Sequence, residues 1–240
     1  MKIARLHLHR RKAATLYSPR VDHASERRSG AGSPGPRGPG LSRILRQNTA
    51  QAHRTAEAAM RLDFRHPGAS EYLAVLNGLL VFHTAVADFS RETVARELGP
   101  GVALLNRHRA LRADIRSMSL LLPTAAGQAC APQSRPAFAT RLRGGREERI
   151  GAAYVAAGSV LGGRVIAANL AASGCDDLPR SFFASDTLDV GRLWRYFKTA
   201  LDAFGESGVD SARVIAGALA AYALIHEILS GADASQGAKG

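Results

Sequence analysis

From residue 41 onward, apolar positions return every three or four residues and almost nowhere alternate in twos. That is the signature of amphipathic helices rather than strands. LSRILRQNTAQAHRTAEAAMRL, residues 41–62, predicts a first helix with Ser42 as its N-cap, running to about Leu62. HPG at 66–68 breaks the chain, and Ser70 is placed to cap a second helix, EYLAVLNGLLVFHTAVADFSRETV. GPG at 99–101 ends that region. LLNRHRALRADIRSMSLLL then predicts a third helix, closed by Pro123, and residues 124–146 read as loop. A fourth helix is expected over about 148–171, broken by ASGCDDLP. DVGRLWRYFKTALDAF carries Trp194, Phe197, Leu201 and Phe204 at helical spacing, and DSARVIAGALAAYALIHEIL predicts a last helix capped by Asp210. There is no internal repeat and no convincing strand. The pattern predicts an all-α single domain of six to eight helices.

One stretch breaks the local rule. AAYVAAGSVLGGRVIAANL is rich in good helix formers, yet it holds Gly158, Gly162 and Gly163. Each glycine inside a helix costs about 1 kcal/mol relative to alanine. Three together are a large fraction of a domain's net stability. Something must need to come close to that backbone.

Composition narrows the field. The chain has 240 residues, 46% hydrophobic and 6% aromatic, enough for one good core. Its net charge is +12, but residues 1–40 hold nine Lys/Arg against two Asp/Glu, a net +7, so the other 200 residues carry only +5. The basicity belongs mostly to a Gly/Pro-rich segment, SGAGSPGPRGPG, that has nothing to bury and is expected to be disordered. The folded domain is then residues 41–231, with 232–240 a flexible end. No basic stripe interleaved with aromatics marks a nucleic-acid surface. Twin arginines near the start lack a following apolar region, so a cleaved secretion signal is not expected. No run of about 18 apolar residues is free of charge, and the best, 151–163, stops at Arg164. Gly158-x-x-x-Gly162 therefore sits in a run too short to span a membrane. Cys130 and Cys175 form no C-x-x-C pair and no C-x-x-C-H haem-attachment motif. Reduced thiols and a cytoplasmic protein are expected.

The first helix carries candidate chemistry. Arg46, Thr49, Ala50, His53, Ala56 and Glu57 fall on one stripe. Ala50 and Ala56 leave room for a flat ligand to reach the imidazole. Glu57, one turn on, can orient the second ring nitrogen, the outer partner that a metal-bound histidine normally has. Arg46 lies two turns before His53, about 10 Å along the axis. That is a fitting span from a macrocycle's central metal to a carboxylate at its edge, which arginine binds well. Taken alone, H-x-x-x-E is also a pattern that an ordinary solvated helix produces.

Two segments together resemble a known family. LRQNTAQAHRTAE resembles the first helix of bacterial haem oxygenases of the biliverdin-producing, phytochrome-associated type. YVAAGSVLGGRV resembles their glycine-rich distal helix. Phe182 and Phe183, then Trp194, Phe197 and Lys198, resemble the region that follows, so the likeness spans roughly 41–230. The resemblance implies a helical fold enclosing haem b between a proximal and a kinked distal helix. It implies oxidative opening of the ring to biliverdin, carbon monoxide and iron by dioxygen. Haem would be both cofactor and substrate. Electrons would come from ferredoxin or another external reductase, since no dinucleotide fingerprint is present, and a bacterial phytochrome is an implied recipient of biliverdin. Carried over, His53 is the proximal iron ligand and Glu57 its orienting partner. Arg46 and Lys198 pair with the propionates, Tyr154 lies near the pocket, and Gly158, Ser159, Gly162 and Gly163 lie over the distal face. Without Cβ atoms, a helix backbone can approach the ring plane.

Two positions depart from parts of the family. Ser159 stands where animal members have an aspartate that organises water. Ala50 stands where some relatives have a basic propionate partner. The alternatives to the enzyme are a non-catalytic haem-binding or carrier protein of the same fold, and a thiamin-type or di-iron helical relative. The di-iron relative needs a Glu-x-x-His that the sequence lacks. Outside the motifs, His83 and His226 on apolar helices read as buried, hydrogen-bonded core histidines. His66 and His108 read as exposed, and Asp176, Asp177 and Asp186 as solvated or capping loop acids.

Overall fold

The computed structural model describes residues 38–60, 62–63, 67–122, 141–175 and 177–234, the last three by backbone only. The expectations for 1–37, His66, the Pro123 stop, Cys130 and the loop to 140, Asp176 and the end from 232 lie outside the described residues or side chains. The elements run α1 (Leu41–Ala59), α2 (Ala69–Glu97), a 3-10 helix (Gly99–Leu105), α3 (His108–Leu121), α4 (Arg146–Ala172), α5 (Ser181–Ala184), α6 (Val190–Glu206) and α7 (Ser211–Ala234). Among the described residues there is no strand, as the helical periodicity predicted.

α2 is the central helix. Tyr72, Leu73, Leu76, Phe82 and Val86 are each no more than 1% exposed, so a helix apolar all round lies where it can be covered all round. The other helices are one-sided. α1 buries Leu41, Leu45, Thr49, Ala56 and Ala59. α6 buries Val190, Phe197, Leu201 and Phe204. α4 and α7 cross at backbone contact. A Cβ on Gly151 would overlap the carbonyl oxygen of Val214, and a Cβ on Gly217 would overlap that of Glu148. These two glycines, not the conspicuous three, are the ones the helix crossing demands.

The predicted ends need correction. Ser42 is not the cap of α1 and Ser70 is not the cap of α2. Gly40 and Gly68 hold those positions, with no side-chain cap bond of their own. α1 stops at Ala59 rather than Leu62. The expected start of the third helix is the 3-10 turn, and α3 begins at His108. Asp210 does cap α7, with Oδ1 accepting from the amides of Ala212 (2.9 Å) and Arg213 (3.4 Å). Asp189 caps α6 by accepting from the Arg192 amide at 3.0 Å.

The judgement that apolar runs are too short to cross a membrane also changes. α2, α4 and residues 211–231 are long and apolar enough by length and composition, since a span tolerates a charge or two. In this fold, 78%, 61% and 44% of their most apolar windows are buried against the rest of the protein. Intramolecular packing therefore accounts for most of the apolar surface of α2 and α4.

Candidate functional site

The site is built from α1 upward. His53 Nδ1 stands 3.3 Å from Glu57 Oε2, and the two side chains are 46% and 36% exposed. Glutamate on Nδ1 fixes the ring. It leaves Nε2 without a hydrogen-bond partner among the described residues. The edge of Tyr222, from α7, meets the imidazole with centroids 5.8 Å apart and planes at 80°. Tyr222 lies beside Thr49, whose hydroxyl donates to the Leu45 carbonyl at 2.8 Å. Burial, then the neighbouring Tyr154, raises the Tyr222 phenol well above its ordinary value and keeps it protonated.

Tyr154 continues this wall. Burial raises its phenol too, opposed by the positive charge of Arg46 reaching from α1. Its ring lies 5.8 Å from that of Trp194 on α6, and Trp194 stacks on Phe197 at 5.6 Å and 10°. A Cβ on Gly158, one turn after Tyr154, would rest 3.8 Å from Trp194, an ordinary contact. Ring contacts thus join His53 to Tyr222 and Tyr154 to Trp194, which lies against Gly158, while Tyr154 acts electrostatically on Tyr222 and feels the charge of Arg46. Gly162, one turn further along α4, is exposed, and a Cβ there would meet nothing within 4 Å.

Gly163 corrects the expectation that all three glycines line one open face. It is buried, and its Cβ would stand 3.3 Å from the Cα of Phe183. Its missing side chain makes room for α5. Ser159 also turns inward. Its hydroxyl lies 3.1 Å from Nε2 of His83 on α2 and 2.8 Å from the carbonyl of Ala156. His83 is 1% exposed, the buried, hydrogen-bonded histidine expected. His226, by contrast, is half-buried and lines a shallow depression with Gln51, Arg54 and Thr55 on the other side of α1.

Behind His83, the one-turn helix α5 is gripped by buried charges. Asp114 accepts from the amides of Ser181 (3.0 Å) and Phe182 (2.8 Å) at its start. Arg107 donates to the Phe182 carbonyl (2.8 Å) and the Ser185 hydroxyl (2.9 Å) at its end. Carboxylate at the N-terminus and guanidinium at the C-terminus complement the helix's exposed amides and carbonyls. The sequence gives no sign of α5, because four residues are too few to show a period.

Arg46 is exposed and Lys198 half-buried, and neither makes an ion pair among the described residues. Lys198 sits one turn after Trp194 on α6. Nor do any three His, Cys, Asp or Glu side chains among the described residues come together to hold a bare metal ion. Together α1, α4 and α6 carry one open imidazole nitrogen, two cations with no ion pair among the described residues, and Gly158 and Gly162 with nothing pressed against their missing side chains. That set suits a flat dianionic macrocycle that brings its own equatorial metal ligands.

The fold and the family can each be matched to known proteins. The fold matches the solved structure of a heme oxygenase from Leptospira interrogans with a TM-score of 0.64, covering 80% of this chain and 99% of that one at 19% identity. The family described as Heme oxygenase matches residues 40–231, and the chain belongs to it. No curated protein matches the chain.

Proposed function

We propose that this protein is a haem oxygenase that opens haem b to biliverdin, carbon monoxide and iron, using dioxygen and electrons from ferredoxin or another external reductase. Support comes from the family, whose members act on haem. The observation that carries the reading to residues is His53, tied through Nδ1 to Glu57 with Nε2 open. Bound haem supplies the iron that takes dioxygen and the ring that is opened.

The chain's own residues do the rest. Glu57 orients His53 and raises its basicity. As the residue that would hold the haem iron, a neutral imidazole would donate less electron density than a thiolate. Arg46 and Lys198 would supply charge for the propionates and so orient the ring. Gly158 and Gly162 admit a close approach on the other face. Trp194 and Tyr154 would border the glycine face with apolar rings, and Tyr222 the histidine, and none of the three is a strong acid. A cytoplasmic enzyme passing biliverdin to a bacterial phytochrome is consistent with this reading.

The test is direct. Haemin added to the protein should give a Soret band. Ferredoxin with its reductase, or ascorbate, in air should then replace that band with a biliverdin spectrum. His53→Ala should lose axial ligation and turnover. A persistent Soret band in the wild type would make the protein a haem carrier, and an unchanged spectrum and rate in His53→Ala would remove His53 from its role.

A further inference from the structure

His83 lies outside the motifs that define the site, yet its side chain touches the glycine segment. Three facts fix its state. Ser159 has a single hydroxyl proton, and the Ala156 carbonyl at 2.8 Å takes it. The 3.1 Å contact to His83 must then be donated by the ring, so Nε2 carries the hydrogen. Nδ1 is buried without a partner, tolerable for a bare nitrogen between Phe82 and Phe182, whose rings stand edge-on at 5.5 and 5.1 Å. Burial, aided by the charge of Arg107, pushes the imidazole down to about 3, so it is neutral at pH 7.

The location matters as much as the state. Glycines at 158, 162 and 163 remove the side chains that would ordinarily set how deeply α4 sits on its neighbours. Val160 is fully buried in the core between these glycines, and two further contacts of the stretch reach α5 and its neighbours. One is the contact of Gly163 with Phe183, and the other is Ser159 on His83. Both lead to α5, the element clamped by Asp114 and Arg107. The half-exposed Ser159 therefore joins a rigid interior to the open glycine face.

We propose that His83 is a positioning residue for the glycine segment: its Nε2–H holds Ser159 and thereby sets the depth and rotation of Gly158 and Gly162 over the ligand. This rests on the haem reading above. His83 touches no ligand itself; it acts through Ser159, whose role is orientation rather than proton delivery to haem.

The experiment compares wild type, His83→Gln, His83→Leu, Ser159→Ala and the His83→Leu/Ser159→Ala double variant, all full-length. In the ligand-free protein, nitrogen NMR should show a neutral Nε2–H tautomer for His83 at pH 7, with resonances displaced in Ser159→Ala. In the ferrous haem–CO complex, His83→Leu and Ser159→Ala should each shift the C–O stretch, and the double variant should shift it no further than either alone. His83→Gln, whose amide N–H can reach the same hydroxyl, should restore the wild-type band. Turnover should fall on the order of 10²-fold in His83→Leu, with KM for haemin little changed. An Nδ1–H tautomer would overturn the proposal. So would a C–O stretch and rate unchanged in His83→Leu while only thermal stability drops. Failure of the wild type itself to take up haemin would overturn it together with the haem reading, and is told apart because no substitution is involved.

Discussion

Asp202 on α6 accepts the amide of Ser42 at 2.7 Å and its hydroxyl at 3.1 Å, across 160 positions of chain. The helix that carries His53 is thus capped by the helix that carries Trp194 and Lys198. A cap deletion typically costs 0.5–2 kcal/mol, and here a carboxylate also complements the helix N-terminus. Asp202→Ala should lower the unfolding free energy by about 1–2 kcal/mol in urea titrations, and Ser42→Ala, which keeps the amide bond, by less. Equal stability of Asp202→Ala and wild type would show the cap is not formed in solution.

Nothing in the fold requires a glycine at 162. With nothing within 4 Å of its missing Cβ, Gly162→Ala should stabilise the ligand-free protein by about 0.5–1 kcal/mol. Gly162→Leu should exclude haem or block dioxygen binding. Thermal melts and haemin titrations on the same samples check the pair. A destabilised Gly162→Ala, or normal oxygen-complex formation in Gly162→Leu, would contradict it.

Gly151 and Gly217 should behave oppositely. Their added Cβ atoms would strike backbone carbonyls that cannot swing aside. Separating α4 from α7 to admit them is overpacking, costing about 1–3 kcal/mol or more. Gly151→Ala and Gly217→Ala should each lower the melting temperature by several degrees. Melts within a degree of wild type would show that the crossing has room for a methyl group.

Arg46 and Lys198 should matter only for a ligand with carboxylates. Arg46→Ala and Lys198→Ala should weaken haemin binding by about 1–3 kcal/mol each, the value of a charge-assisted bond, and alter the biliverdin isomer ratio. Haemin dimethyl ester should bind the variants and the wild type alike. Equal weakening of the ester would mean the two cations act on the fold instead.

His83 predicts a slope in acid stability. Its folded value of about 3 lies below the ordinary 6.5, so the unfolded chain binds the extra proton between those limits. Stability then falls as pH drops through that window, by up to about 1.4 kcal/mol per unit, and is fully present above 6.5. From pH 7 to pH 5, His83→Gln should lose up to about 2 kcal/mol less than wild type in urea titrations. Parallel pH profiles would mean the imidazole is more hydrated than its burial implies.

The line between sequence and structure runs through particular residues. Helical class, the α1 stripe with His53 and Glu57, and the anomaly at Gly158 and Gly162 were all readable, because periodicity and glycine cost are local properties of the chain. What was not readable depended on partners far away. The same glycine residue type serves an open face at 162, a seat for α5 at 163 and a helix crossing at 151 and 217, and only a neighbour's coordinates separate these roles. Ser42 looked like a cap and instead receives one from Asp202. His83 read as one more core histidine until folding set it against Ser159. Tyr222 looked like one aromatic in an apolar run until α7 brought its edge to His53. Local patterning determined which helices form and which chemistry they carry; tertiary packing alone decided which faces meet, since burial and hydrogen bonding belong to pairs of residues that the linear chain keeps apart.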